Sequence, residues 1–267
     1  MEILSYSFFQ NALLGVLFVS IAAGIIGTYV VSRRMVFITG GITHACFGGL
    51  GLGFFLGVNP IAVAAVFAIA AATGVEWMST RQNVRQDSAI GVIWALGMAL
   101  GTLFIFMSPG YVPELTSFLF GNVLTITTTD IILFAAYLVA LLAFFTVFYP
   151  QIVLCAFDPD FAATRRLKVS VINLTMTIMI ALCIVLTIRL IGIMLLLSLL
   201  TMPQMIAELF TNRFHHMMII SSLVSIVCSA LGIFCSYWIA VPASATIVLT
   251  LVVAYAVARI IHKTKAL

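Results

Sequence analysis

The sequence predicts an all-α, polytopic membrane protein with about eight or nine transmembrane helices. Three observations carry that prediction. The 267 residues include only 12 lysines and arginines and 8 aspartates and glutamates, so 7% of the chain is charged, against roughly 25% in an ordinary soluble domain. The hydrophobic fraction is 64%. The apolar residues fall into runs close to the about 20 residues that a helix needs to cross a bilayer, with short polar breaks between them. So few charges cannot coat a soluble globule of this size, which excludes a soluble enzyme, a nucleic-acid-binding domain and a disordered chain. The basic residues are dispersed in ones, twos and threes, as expected of orientation signals rather than a nucleic-acid footprint. Residues 1–267 read as one transmembrane domain.

The elements follow from charges, prolines and polar clusters. The first span runs from Phe8 to Val31 and stops at Arg33-Arg34. It has no basic segment before it, so it reads as a retained span rather than a signal peptide. The second covers Met35 to Leu56 and is rich in glycine, with Gly40, Gly41, Gly48, Gly49, Gly51 and Gly53. Such a run permits close helix approach, or a break that exposes carbonyls. Asn59-Pro60 turns the chain into the third span, which ends near Trp77. After Arg81 and Arg85, the fourth runs from Ser88 to Met107. Phe118 to Thr127 is apolar but too short to span, and is a candidate re-entrant segment. The fifth span covers Asp130 to Tyr149, and a polar segment follows from Pro150 to Lys168. A single helix over residues 169–210 would be about 63 Å long, twice the roughly 30 Å hydrocarbon core. Two spans with a turn near Arg189 are therefore expected there. The last two cover Met217 to Trp238 and Pro242 to Ile261.

Charge tests the count. If Arg33-Arg34 lies inside, strict alternation over nine spans puts every basic residue except Arg189 on the cytoplasmic side, as the positive-inside rule predicts. Merging the two spans around Arg189 would strand Arg213, Lys263 and Lys265 outside. Nine spans are favoured, with the N-terminus outside and the C-terminus cytoplasmic; eight follow if one span is broken or short.

Few residues are candidates for chemistry. His44 lies ten residues beyond Arg34, a rise of about 15 Å that puts it near mid-membrane. An ionisable side chain at that depth usually faces a partner or a water-filled path, and imidazole is a common ligand for divalent transition metals. Asp87 opens the fourth span, where an aspartate caps the helix or complements its dipole. Glu208 can pair with Arg213 or line an exit path. His215 and His216 are adjacent and do not face one site on a helix. Met202 and Met205 read as packing residues, and the five cysteines as small buried hydrophobes. The segment Phe157-Asp158-Pro159-Asp160-Phe161-Ala162 is too polar to span, and its two phenylalanines could anchor a soluble partner. No Gly-Lys pair occurs, so a Walker A phosphate loop is absent and ATP is not hydrolysed by that route. GxSxG and HExxH patterns are absent too.

These residues together resemble the membrane permease subunit of the zinc/manganese/iron ABC importers. The likeness extends over nearly the whole chain. It includes Arg33-Arg34-Met35 leading to Ile42-Thr43-His44-Ala45, the stretch from Asp87 to Gly91, Phe118-Leu119-Phe120-Gly121-Asn122-Val123-Leu124, Asp158 to Ala162, and the run from Gly192 to Pro203. The resemblance implies a type II ABC importer-like permease that works as a homodimer in a bacterial cytoplasmic membrane. Two separate ATPase subunits would bind ATP and dock on Asp158, Pro159, Asp160, Phe161 and Ala162. An extracytoplasmic metal-binding protein would deliver the divalent metal ion, which is the transported substrate. His44, with Thr43 beside it, corresponds to the family's intramembrane metal position. Asp87, Gly91, Gly121, Asn122, Gly192 and Pro203 correspond to structural motif positions. The resemblance departs at Gly40, where many members carry an aspartate four residues before the histidine. Two other classes fit less well. An ion-gradient-driven secondary transporter would carry intramembrane carboxylates, whereas the acidic residues here mostly lie near segment ends. An intramembrane enzyme would need a nucleophile or metal cluster beside His44.

Overall fold

The computed structural model describes residues 7–82, 84–109, 121 and 126–265. The first helices are α1 (Ser7–Ser32), α2 (Val36–Leu56), α3 (Pro60–Arg81) and α4 (Gln86–Met107). Then come α5 (Thr128–Phe157), the short α6 (Pro159–Thr164) and α7 (Val169–Ile191). The chain ends with α8 (Ile193–Leu199), α9 (Met202–Glu208), α10 (Phe214–Ile239) and α11 (Ala243–Lys265). Among the described residues, 8 helices are long and apolar enough to cross a membrane: α1 to α5, α7, α10 and α11. The Asn59-Pro60 turn works as its composition predicts. The Asn59 side chain accepts from the Ile61 and Ala62 amides, and proline opens α3, where a missing N–H costs no helical bond.

The ninth span expected beyond Arg189 is not formed as one continuous helix. Gly192 adopts φ 81°, ψ 172° between α7 and α8, a conformation open essentially to glycine alone. Beyond it lie two helices of 7 residues each, interrupted at Leu200-Thr201. From Ile193 to Glu208 they would reach only about 24 Å at 1.5 Å per residue. Pro203 sits in the first turn of α9, where its lack of a donor is tolerated.

Three expectations are corrected. The polar segment expected from Pro150 is helical as far as Phe157, because α5 continues through the proline. Ile152 and Cys155 beyond it are fully buried, and the Arg33 guanidinium donates to the Cys155 carbonyl at 3.3 Å; this packing offsets the bond lost at the proline. Asp87 is not the cap of α4: Arg85 holds that position and Asp87 lies in the first turn, where the dipole still favours it. Of the cysteines, Cys46, Cys155, Cys183 and Cys228 are buried but Cys235 is exposed, on the outer face of a spanning helix.

The helices group into two compact units. One comprises residues 1–33, 115–156 and 186–267, and the other residues 34–114 and 157–185. In the first, α10 packs on α1 and α11, with α8 and α9 against α1 and α11. In the second, α2 packs against both α3 and α4.

Candidate functional site

The second unit is built around α2, whose glycines make its position possible. Ideal Cβ atoms at Gly48 and Gly51 would lie 3.0 Å and 2.6 Å from the carbonyl oxygens of Gly97 and Gly101 on α4. Backbone therefore meets backbone, and any side chain there would force the helices apart. The paired positions rise together on both helices, so α2 and α4 run parallel. The α3 contacts run the other way, with Gly53 against Pro60 and Gly49 against Ala64.

This register carries His44 onto α4. Its imidazole stacks on the indole of Trp94, with ring centroids 4.2 Å apart and planes 10° from parallel. One turn earlier, a Cβ at Gly40 would lie 3.6 Å from Trp94 Cζ3. Gly40 and His44 thus share the α2 face that Trp94 covers. Thr43 does not join them: it is fully buried, and its hydroxyl donates to the Thr39 carbonyl at 2.6 Å. On α4, Asp87, Gly91 and Trp94 follow at i, i+4 and i+7 along one stripe. Asp87 is exposed, and a Cβ at Gly91 would meet nothing within 4 Å. Asp87 lies seven residues before Trp94, about 10 Å along the helix, too far to share an ion with His44 through bonds of about 2.0–2.2 Å. Among the described residues, no three His, Cys, Asp or Glu side chains are grouped closely enough to hold a metal ion.

Two residues of this unit were not singled out by the sequence. Trp94 lies in an apolar run where an aromatic carries no signal of its own. Glu76, on α3, accepts from the Thr177 hydroxyl of α7 at 3.3 Å; five residues before Arg81, it passes for a segment-end charge.

The segment from Asp158 to Ala162 forms the start of α6. The Asp158 carboxylate accepts from the Phe161 amide at 2.9 Å, Pro159 opens the helix and Asp160 sits in its first turn. Ala162 is buried, whereas Phe157 and Phe161 are 59% and 45% exposed, with the Arg165 guanidinium 5.3 Å from the Phe161 ring. A capped turn thus presents two apolar rings beside carboxylates.

The remaining singled-out residues lie in the first unit. Gly121, at φ 62°, approaches the α7–α8 break so closely that a Cβ there would lie 2.5 Å from the Gly192 nitrogen. Two glycines distant in sequence thus make one backbone crossing. Asn122 and most of the candidate re-entrant segment lie outside the described residues. Arg189 meets Asp130 at 3.3 Å. Glu208, Arg213 and His262 line an open cavity of about 470 Å³, and among the described residues the ion pair found is Asp130–Arg189, not Glu208–Arg213. His215 and His216 pack edge-on to each other, and His215 also meets Tyr149.

Comparison with known proteins agrees over nearly the whole length. Residues 5–262 match the model of the ABC 3 transport family. The "Probable metal transport system membrane protein" of Chlamydia trachomatis is 32% identical over 92% of this chain and 86% of its own. The manganese transport system membrane protein MntC of Listeria monocytogenes is 28% identical over 96% and 91%. The structure of PsaBC from Streptococcus pneumoniae in complex with Fab superposes with a TM-score of 0.85 at 28% identity, over 96% of this chain and 92% of that one.

Proposed function

The chain belongs to the ABC 3 transport family, and on that premise we propose that it is the membrane-spanning subunit of an ATP-driven importer for a divalent transition metal: zinc, manganese or iron. The observation that carries this reading is the family match over residues 5–262. The names of two relatives, one for metal and one for manganese, point the same way. Two copies of the chain enclose the path, and the ion passes His44. An extracytoplasmic binding protein supplies it. Two separate ATPase subunits drive alternating access, since this chain carries no Walker A loop. The exposed Phe157 and Phe161 on either side of the Asp158 cap are a suitable apolar foothold for those subunits. The protein sits in a bacterial cytoplasmic membrane with its N-terminus outside. In that orientation the broken segment from Ile193 to Glu208 crosses the membrane, and Arg189, the one basic residue left outside, is partnered by Asp130.

The test is reconstitution in proteoliposomes with the ATPase and binding protein. ATP-dependent uptake of zinc, manganese or iron is expected, lowered by His44→Ala without loss of assembly. Uptake by the chain alone, driven by an ion gradient without ATP, would overturn the reading in favour of a secondary transporter.

A further inference from the structure

The stack of His44 on Trp94 bears on which metal passes, a question that rests on the permease reading. Three observations converge on it. The rings are 4.2 Å apart and nearly parallel, so the indole covers one side of the imidazole plane. The neighbouring position on the same α2 face is Gly40, whose Cβ direction points at Trp94 Cζ3, so α2 offers no side-chain oxygen there and the ring occupies the space beside it. Thr43 is turned away, its hydroxyl committed to its own helix.

An ion held by an imidazole nitrogen lies in the ring plane, about 2.0–2.1 Å out. The cis ligands of a six-coordinate ion rise out of that plane, on both sides. A tetrahedral ion carries only three other ligands, and all of them lean away from the donor ring instead of standing beside it, so a cover on the ring crowds them less. Manganese favours six oxygen-rich positions, whereas zinc accepts four and binds imidazole well. A nitrogen donor covered on one side, with glycine in place of a carboxylate at the neighbouring α2 position, therefore discriminates by coordination number.

We propose that Trp94 is a specificity-determining positioning residue: stacked on His44 and packed beside Gly40, it closes one side of the imidazole, so that the site favours zinc over manganese. Trp94 acts through His44 and bonds no ion itself. Trp94→Leu fills the volume without a flat face, and Trp94→Phe keeps a ring able to stack.

The full chain in lipid nanodiscs tests this with zinc chloride and manganese chloride as probes. A Trp77→Phe/Trp238→Phe background leaves Trp94 as the sole tryptophan. The expected result is at least about tenfold tighter retention of zinc than of manganese, a difference of about 1.4 kcal/mol, together with a zinc-induced change in Trp94 emission that His44→Ala abolishes. Trp94→Leu and Trp94→Ala should bring the zinc/manganese ratio toward one, while Trp94→Phe keeps it. Gly40→Asp should raise manganese retention. If zinc retention needs His44 but the ratio is the same in Trp94→Leu as in the parent, the role of Trp94 is overturned and His44 still stands as the metal residue. If retention is unaffected by His44→Ala, or absent, the assignment of His44 to the metal path falls instead.

Discussion

Replacing Gly51 by alanine tests whether the α2–α4 contact sets the geometry at His44. The new Cβ would sit 2.6 Å from the Gly101 carbonyl oxygen, 3.0 Å from its Cα and 3.1 Å from its carbonyl carbon. All three are backbone atoms, so no side chain can rotate away and the helices must separate by most of an ångström. Overpacking of this kind costs about 1–3 kcal/mol. Alanine also raises helix propensity by roughly 0.5–1 kcal/mol, which blurs the single variant. Gly91→Ala cancels that gain, because it lies in α4 and its Cβ would meet nothing within 4 Å. The difference between the two variants is therefore the overpacking cost alone. By the scaling for soluble chains of similar length, it lowers the melting temperature of Gly51→Ala by roughly 2–12 °C relative to Gly91→Ala. The assay is thermal unfolding of purified protein in one detergent, followed by Trp94 emission in the single-tryptophan background. Because Gly51 is seven residues from His44 on the same helix, the stack should loosen and the folded-state emission shift as well. Equal melting temperatures with unchanged emission would refute the claim that backbone contact between α2 and α4 positions the site.

Three further outcomes are expected. Gly192→Ala forces a Cβ into a conformation at φ 81° and should destabilise by about 1–3 kcal/mol; a melting temperature matching that of Gly91→Ala would remove the need for glycine at the break. Asp158→Ala should speed hydrogen exchange at the Phe161 amide roughly 2- to 30-fold, in line with about 0.5–2 kcal/mol for a lost cap, while Asp158→Asn preserves protection; identical exchange in both variants would dismiss the cap. A double-mutant cycle of Asp130→Asn and Arg189→Gln should give a coupling of about 0.2–1 kcal/mol, since the arginine side chain is 48% exposed; a coupling well above that range would mean that the pair is shielded from water.

Much of the fold is legible because a bilayer leaves a helix few options. α1, α2 and α4 begin and end within two residues of the expected spans, since charges and the Asn59-Pro60 turn stop an apolar run where it must leave the hydrocarbon. The failures are places where one local signal was outweighed. Pro150 reads as a stop, yet the buried Ile152 and Cys155 carry α5 past it. The turn near Arg189 has no proline or asparagine, and Gly192 supplies the break through a backbone angle that composition alone does not reveal. At the candidate site, His44 draws notice by its depth in the sequence, whereas its stacking partner Trp94 does not: an aromatic in an apolar run takes its meaning from the residue opposite, and that pairing depends on the α2–α4 register.

The glycines of α2 have two consequences that belong together. Gly48 and Gly51 bring α2 against α4 closely enough for an imidazole on one helix to stack on an indole of the other. Gly40, on the stacked face, removes a donor where a carboxylate could have stood. Among the described residues no three His, Cys, Asp or Glu side chains are grouped to hold an ion, so the proposed metal path past His44 would not select its ion by accumulated negative charge. Charge would in any case separate zinc, manganese and iron poorly, as all three are carried as divalent ions of similar size. What distinguishes them is ligand preference and coordination number, and these are the properties that a lone imidazole beneath a flat ring restricts. On the proposed reading, the scarcity of charge that marks the chain as a membrane protein also transfers selectivity from electrostatics to shape, with Trp94 as the residue that sets it.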